Sequence, residues 1–245
     1  MRSPRPPRRP PRGGGQGELS ASDLLDAIEL ETGGHPTASV IWMHGLGADG
    51  HDFEPIVSEL ELPETLALRF VFPHAPRRPV TLNRGYVMRA WYDVVGDGSE
   101  DAAGIRASQA RVEALIAREK ARGFPAARVV LAGFSQGGAM ALHTGLRHPE
   151  RLAGIIALSC YLPLGDTLAA EASPANRDVP ILMAHGTDDP IIPLGRARRS
   201  RDKLTDLGYR VTWREYPMAH SVCEAEVDDL SAWLSGALGE KGEAR

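Results

Sequence analysis

The chain reads as an α/β fold, with a mostly parallel central sheet covered by helices on both faces. Three observations predict this. Short apolar runs of strand length alternate with helical segments after residue 23. The run Arg128-Val129-Val130-Leu131-Ala132 enters a glycine-rich turn and leaves it as the Ala-rich segment Gly138-Ala139-Met140-Ala141-Leu142-His143. The length of 245 residues and a hydrophobic content of 42% suit one well-buried core.

The elements follow in order. Segments 24–30 and 38–43 read as strands, joined by Gly33-Gly34-His35-Pro36. Residues 52–60 read as a short helix, and 68–72 as a strand stopped by Pro73. From 73 to 101 the pattern breaks down, and a structureless stretch of that length inside a domain usually carries function. Residues 103–122 form an amphipathic helix with Ile105, Val112, Leu115 and Ile116 on its apolar side. Strand 128–133, helix 136–147, strand 153–159 and strand 179–184 come next. Helix 194–207, strand 209–215 and helix 222–238 complete the chain. No linker divides this body, so residues 21–240 are expected to form a single domain. Ligands on such sheets bind at the carboxyl ends of the strands.

Residues 1–20 differ in kind. Met1 to Arg12 hold five Arg, five Pro and no acid, and a Gly-rich stretch follows. Such a segment has little apolar surface to bury and reads as a disordered basic tail without the apolar core of a secretory signal. Removing its five arginines from the formal net charge of −4 leaves −9 for the body, which suits nucleic acid poorly. No apolar stretch approaches the roughly 18 residues that span a membrane. The two cysteines, Cys160 and Cys223, have neither disulfide-framework nor zinc spacing. A cytoplasmic protein without metal or organic cofactor is expected, and a homodimer is compatible with the sequence.

Gly133-Phe134-Ser135-Gln136-Gly137 carries the chemistry. A serine on a tight strand-to-helix turn takes a strained backbone conformation, and glycines two positions away on each side allow close approach of neighbouring chain. The hydroxyl then stands exposed at the sheet edge, beside the free N–H groups that open a helix. Ser135 is therefore the candidate nucleophile.

A serine hydroxyl needs a base, normally a histidine, and the histidine needs an acid. Of the eight histidines, His143 and His148 lie on or just past the serine's own helix, too far down it to reach back. His44, His185 and His220 each end a strand or begin a loop. Only His220, in Tyr216-Pro217-Met218-Ala219-His220-Ser221, is a late histidine with an acidic loop before it. That loop, His185-Gly186-Thr187-Asp188-Asp189-Pro190, offers two adjacent aspartates. Neighbours on extended chain point to opposite sides, so one of the two faces His220, and spacing does not choose between them.

Gly45-Leu46-Gly47-Ala48-Asp49-Gly50 matches a dinucleotide fingerprint after a strand. The acid which that fingerprint wants at the end of the next strand is missing from Arg69-Phe70-Val71-Phe72-Pro73. His44-Gly45-Leu46-Gly47 instead fits a loop that lends one backbone N–H to an oxyanion hole, the other coming from the residue after the nucleophile. The two donors are then the amides of Leu46 and Gln136.

Read together, these segments resemble the carboxylesterase and acyl-protein thioesterase family of α/β-hydrolases over about residues 36–236. The resemblance rests on Val40-Ile41-Trp42-Met43-His44-Gly45-Leu46-Gly47, on Phe72-Pro73-His74-Ala75-Pro76 with Arg78-Pro79-Val80-Thr81-Leu82-Asn83, and on Ala90-Trp91-Tyr92-Asp93. It rests further on the serine pentapeptide, Leu158-Ser159-Cys160-Tyr161-Leu162-Pro163, Asp189-Pro190 and His220-Ser221. It implies the α/β-hydrolase fold, Ser135 as nucleophile, His220 as base, and Asp189, directly before the proline, as the acid. It also implies an acyl groove with Trp91, Val94 and Val95 on one wall and Tyr161 and Ile191 on the other. The expected activity is carboxylic ester hydrolysis through an acyl-enzyme, acting on a small-molecule ester or an acylated substrate. The alternative is an acyl-protein thioesterase or lysophospholipase acting on long acyl chains. A non-catalytic binding module of the same fold is disfavoured by the presence of all three triad candidates.

Overall fold

The computed structural model describes residues 24–239; the tail expected over residues 1–20 lies outside them. Nine strands and six α-helices are described. β1 (Ala27–Glu31), β2 (Ala38–Met43), β3 (Leu68–Pro73), β6 (Val129–Phe134), β7 (Gly154–Leu158), β8 (Ile181–Gly186) and β9 (Val211–Tyr216) form one sheet. Its order is β1-β3-β2-β6-β7-β8-β9. Only β1 runs antiparallel, against β3. All other neighbours are parallel, with register Val40↔Val130 between β2 and β6 and Ile155↔Ile181 between β7 and β8.

Successive side chains on a strand point to opposite faces, so the inner strands are apolar throughout. Ile41, Met43, Val129 and Leu131 pack on one face, under α2 (Ala102–Ala121), α3 (Gln136–Arg147), α4 (Leu168–Glu171) and α5 (Leu194–Asp206). Val40, Trp42, Val130 and Ala132 pack on the other, under α1 (Ile56–Glu59) and α6 (Glu224–Leu238). From β2 the chain first steps outward to β3 and later returns to place β6 on the other side of β2. The crevice at the carboxyl ends of β2 and β6 is therefore a topological switch point.

Two expectations need correction. The helix expected over 52–60 is a single turn, because Pro55 disfavours helical backbone at Glu54 and stands at the N-cap. The stretch 73–101 is not structureless. It contains the hairpin of β4 (Arg77–Val80) and β5 (Tyr86–Arg89), paired Arg78↔Met88 and Val80↔Tyr86. This ribbon stands off the main sheet, and most of its side chains are exposed or half-buried, so no apolar alternation marks it. Its interior proline is tolerated at an edge.

Glu226, in the first turn of α6, is 1% exposed, and neither carboxylate oxygen has a hydrogen-bond partner among the described residues. Burial, reinforced by nearby Asp229, pushes its pKa up to about 8. The folded chain thus keeps a proton that the unfolded chain releases above its ordinary value of 4.5. Unfolding releases that proton, so stability declines as pH rises through this window and levels off above it. Glu226→Gln removes the titration. In thermal melts, the difference between the variant's Tm and the wild type's should grow in the variant's favour between about pH 5 and about pH 8 and then stay constant. A pH-independent difference would show that Glu226 ionises freely in the folded protein.

Candidate active site

Ser135 joins β6 to α3 with φ 54° and ψ −119°, a backbone conformation rarely adopted by residues other than glycine. The strain is held from both sides. Ser135 N–H donates to Leu158 O at 2.8 Å, and Ser135 O accepts from Ala139 N–H at 3.0 Å. The flanking glycines are required by close approach. A Cβ on Gly133 would sit 2.3 Å from Gly137 C, and one on Gly137 would sit 2.1 Å from Met43 O. The serine turn is thus pressed against the end of β2.

The loop leaving β2 lies beside it. A Cβ on Gly45 would stand 3.4 Å from Ser135 Cβ. Gly47 N–H donates to Arg89 O at 2.9 Å, which ties the loop to β5. Neither the Leu46 N–H nor the Gln136 N–H is donated to another group among the described residues. The two amides expected as oxyanion donors are therefore uncommitted among the described residues.

His44 has a role that sequence reasoning missed. Its Nε2 accepts from Ala75 N–H at 3.0 Å, so the ring proton resides on Nδ1, which donates to Gly45 O at 2.7 Å. Burial lowers its pKa to about 4, so the imidazole is neutral at ordinary pH. In a trans peptide the C=O and the following N–H point in opposite directions. By holding Gly45 O, His44 fixes the aim of the Leu46 N–H. The His-Gly motif marks the loop, but no sequence signal tells that the His44 ring itself holds Gly45 O.

His220 and Asp189 come from the loops after β9 and β8. These loops are joined by Thr187 N–H to Tyr216 O at 2.8 Å and Asp188 N–H to Met218 O at 3.1 Å. His220 Nδ1 donates to Asp189 Oδ2 at 2.6 Å. The other carboxylate oxygen of Asp189 accepts from the Ile191 and Ile192 N–H groups at 2.8 and 2.9 Å. Burial alone would raise the Asp189 pKa, but these hydrogen bonds outweigh it and hold the carboxyl below its usual range. The side chain of Asp189 is fully buried. The Asp188 side chain accepts from the neighbouring Thr187 hydroxyl at 3.1 Å and from no other side chain among the described residues. With Nδ1 committed, His220 presents Nε2, and its ring packs on that of Phe134 at 4.7 Å between centroids, over the residue preceding Ser135.

The other strand-end histidines are occupied elsewhere. Both ring nitrogens of His44 are engaged. His185 is buried and donates from Nε2 to Ile192 O at 2.8 Å, bracing the turn that holds Asp189.

The expected acyl groove needs one correction. Trp91 is wholly buried and lines no open wall. Its indole N–H donates to His44 O at 2.9 Å, its backbone N–H to Gln136 Oε1 at 2.7 Å, and its carbonyl accepts from Ser108. Its ring supports the His44 loop from beneath, with ring centroids 5.5 Å apart. Gln136 also donates from Nε2 to Tyr92 O at 2.8 Å, so its side chain clamps the 91–92 segment to the start of α3. Val94 and Val95 are half-buried, as is Tyr161, whose hydroxyl bonds that of Tyr92 at 2.9 Å. Ile191 is 67% exposed at the rim.

A parallel sheet covered on both faces, with a strained serine at its switch point and a His–Asp pair on later loops, defines the α/β-hydrolase class. The family model described as Phospholipase/Carboxylesterase matches residues 27–238, and the chain belongs to that family. It is 40% identical to acyl-protein thioesterase 1 of Gibberella zeae, over 84% of this chain and 92% of the relative. Its identity to acyl-protein thioesterase 1 of Neurospora crassa is 44%, over 82% and 87%. Among solved structures, Arabidopsis thaliana SOBER1 superposes with a TM-score of 0.78 at 32% identity, covering 82% of this chain and 99% of that one. Zea mays acyl-protein thioesterase 2 superposes with a TM-score of 0.76 at 30% identity, over 87% and 99%. Among the described residues no helix is long and apolar enough to cross a membrane.

His44→Phe keeps a ring of similar size and removes both hydrogen bonds. Misaiming one oxyanion donor should lower kcat by about 10²-fold with little change in KM, in an enzyme that still folds. An unchanged kcat would show that the Gly45–Leu46 peptide is held without His44.

Proposed function

We propose that the chain hydrolyses acyl esters through a covalent acyl-enzyme, with Ser135 as nucleophile, His220 as general base and Asp189 as the acid that orients it. The observation that carries this reading is the 2.6 Å Asp189–His220 hydrogen bond, set on loops that bring the imidazole against Phe134, next to a serine at φ 54°. Ser135 Oγ attacks the acyl carbonyl carbon as His220 Nε2 takes its proton. The carbonyl oxygen becomes an oxyanion and accepts from the Leu46 and Gln136 N–H groups. Collapse of the tetrahedral adduct expels the leaving group, which takes the proton back from His220. Water, deprotonated by the same imidazole, then attacks the acyl-serine, and the imidazolium returns that proton to Ser135 Oγ as the acid is released. Asp189 stays ionised throughout and stabilises the imidazolium formed at each attack.

Thioesters are the favoured substrate class. The support is that the relatives at 40% and 44% identity are named acyl-protein thioesterase. Oxygen esters are the second reading, supported by the description of the matching family as Phospholipase/Carboxylesterase. The same machinery serves both, because a thiolate leaves without needing full protonation and an alkoxide does not.

Ser135→Ala should lower hydrolysis of matched oxygen-ester and thioester substrates by about 10⁴-fold or more while leaving the melting transition intact. Asp189→Asn should cost about 10³- to 10⁴-fold, and Asp188→Asn little. Undiminished turnover by Ser135→Ala would overturn the mechanism, and a reversed order of the aspartate variants would move the acid by one residue.

A further inference from the structure

Beyond Gln136, a polar path leads away from Ser135. The Gln136 amide holds Tyr92 O, and the Tyr92 hydroxyl bonds that of Tyr161. There a cavity of about 240 Å³ opens, with Tyr92, Val94, Gly96, Glu100, Tyr161 and Arg196 among its walls. A second cavity of about 290 Å³ shares Glu100, Tyr161 and Arg196 and continues toward Arg199. The Arg196 guanidinium carbon lies over the Tyr161 ring, 3.5 Å from its centroid.

Arg196 and Arg199 are set apart from the other basic residues of α5, and of the two only Arg196 lines both cavities. Arg198 pairs with Glu215, Arg201 with Asp202 and Lys203 with Asp166. Arg196 has no such ion pair among the described residues. Stacking on an aromatic face fixes the guanidinium plane and leaves its N–H edge free, the arrangement suited to a planar carboxylate. A purely alkyl chain filling this space would strip water from an unpaired cation without replacing its hydrogen bonds. Glu100, on the same wall, accepts from Leu164 N–H at 3.0 Å, and its charge opposes that of an incoming anion.

We propose that the acyl groove ends at Arg196, and that the enzyme takes acyl groups bearing a carboxylate at their far end, the half-esters or half-thioesters of dicarboxylic acids. This rests on the hydrolase reading above and narrows its substrate. The Arg196 guanidinium receives the distal carboxylate, while Val94 and the Tyr161 ring flank the methylene chain between it and Ser135.

The test compares kcat/KM for mono-4-nitrophenyl adipate with that for 4-nitrophenyl hexanoate, which share a leaving group and a chain length and differ in the distal carboxylate. Arg196→Gln should lower the adipate-to-hexanoate ratio about tenfold, the scale of one charge-assisted hydrogen bond. Arg196→Lys should recover part of that loss, and Glu100→Gln should raise the ratio above the wild-type value. A ratio indifferent to Arg196→Gln, or lowered by Glu100→Gln, would overturn the anionic end of the groove while leaving the hydrolase reading standing. Turnover by the wild type of neither ester, nor of the matching thioesters, would overturn the hydrolase reading, and the subsite with it.

Discussion

The hydrogen bond between Asp189 and His220 is the interaction on which the site depends. A neutral imidazole has one donor and one acceptor, and the bond to a buried carboxylate decides which nitrogen is which. With Nδ1 bound to Asp189, Nε2 is left as the acceptor. Asp189 can hold this charge inside the protein because two backbone N–H groups and the imidazole surround it. The price of that burial is a loop pair that must stay joined, and the backbone hydrogen bonds from Thr187 and Asp188 to the β9 loop meet it.

The second constraint is steric. The first turn of α3 approaches the carboxyl end of β2 so closely that Gly137 lies against Met43 O, leaving no room for a side chain. This contact sets the serine turn beside the His44–Gly47 loop at the sheet's switch point. His44 and Trp91 then work as a pair. The buried, neutral imidazole orients the Gly45–Leu46 peptide, and the indole N–H holds His44 O from below. Gln136, the residue after the serine, is linked to this unit by its side chain, which fixes the 91–92 segment.

Much of this was legible in the sequence because it is local or follows chain order. The strand–Ser135–helix turn, the His-Gly loop and the parallel sheet are written in short motifs and apolar runs. The choice between Asp188 and Asp189 was not, because adjacent positions on extended chain differ only in direction, and family resemblance was needed to prefer Asp189. The β4–β5 hairpin escaped notice because a ribbon with little buried surface carries no apolar period. Trp91 was expected in the groove wall from the family resemblance, on the strength of its place in the 73–101 loop. Its burial depends on the partners His44, Ser108 and Gln136, all distant in sequence. The tautomer of His44 likewise rests on the N–H of Ala75, 31 residues away.

The most direct measurement is the crystal structure of the protein after reaction with an alkyl fluorophosphonate, with mass spectrometry of the labelled peptide. Phosphorus should be bonded to Ser135 Oγ, with one phosphoryl oxygen about 2.7–3.1 Å from both the Leu46 and Gln136 nitrogens. His220 Nε2 should lie within hydrogen-bond distance of the adduct. A label on another residue, or a Ser135 adduct whose phosphoryl oxygen points away from both amides, would contradict the assignment.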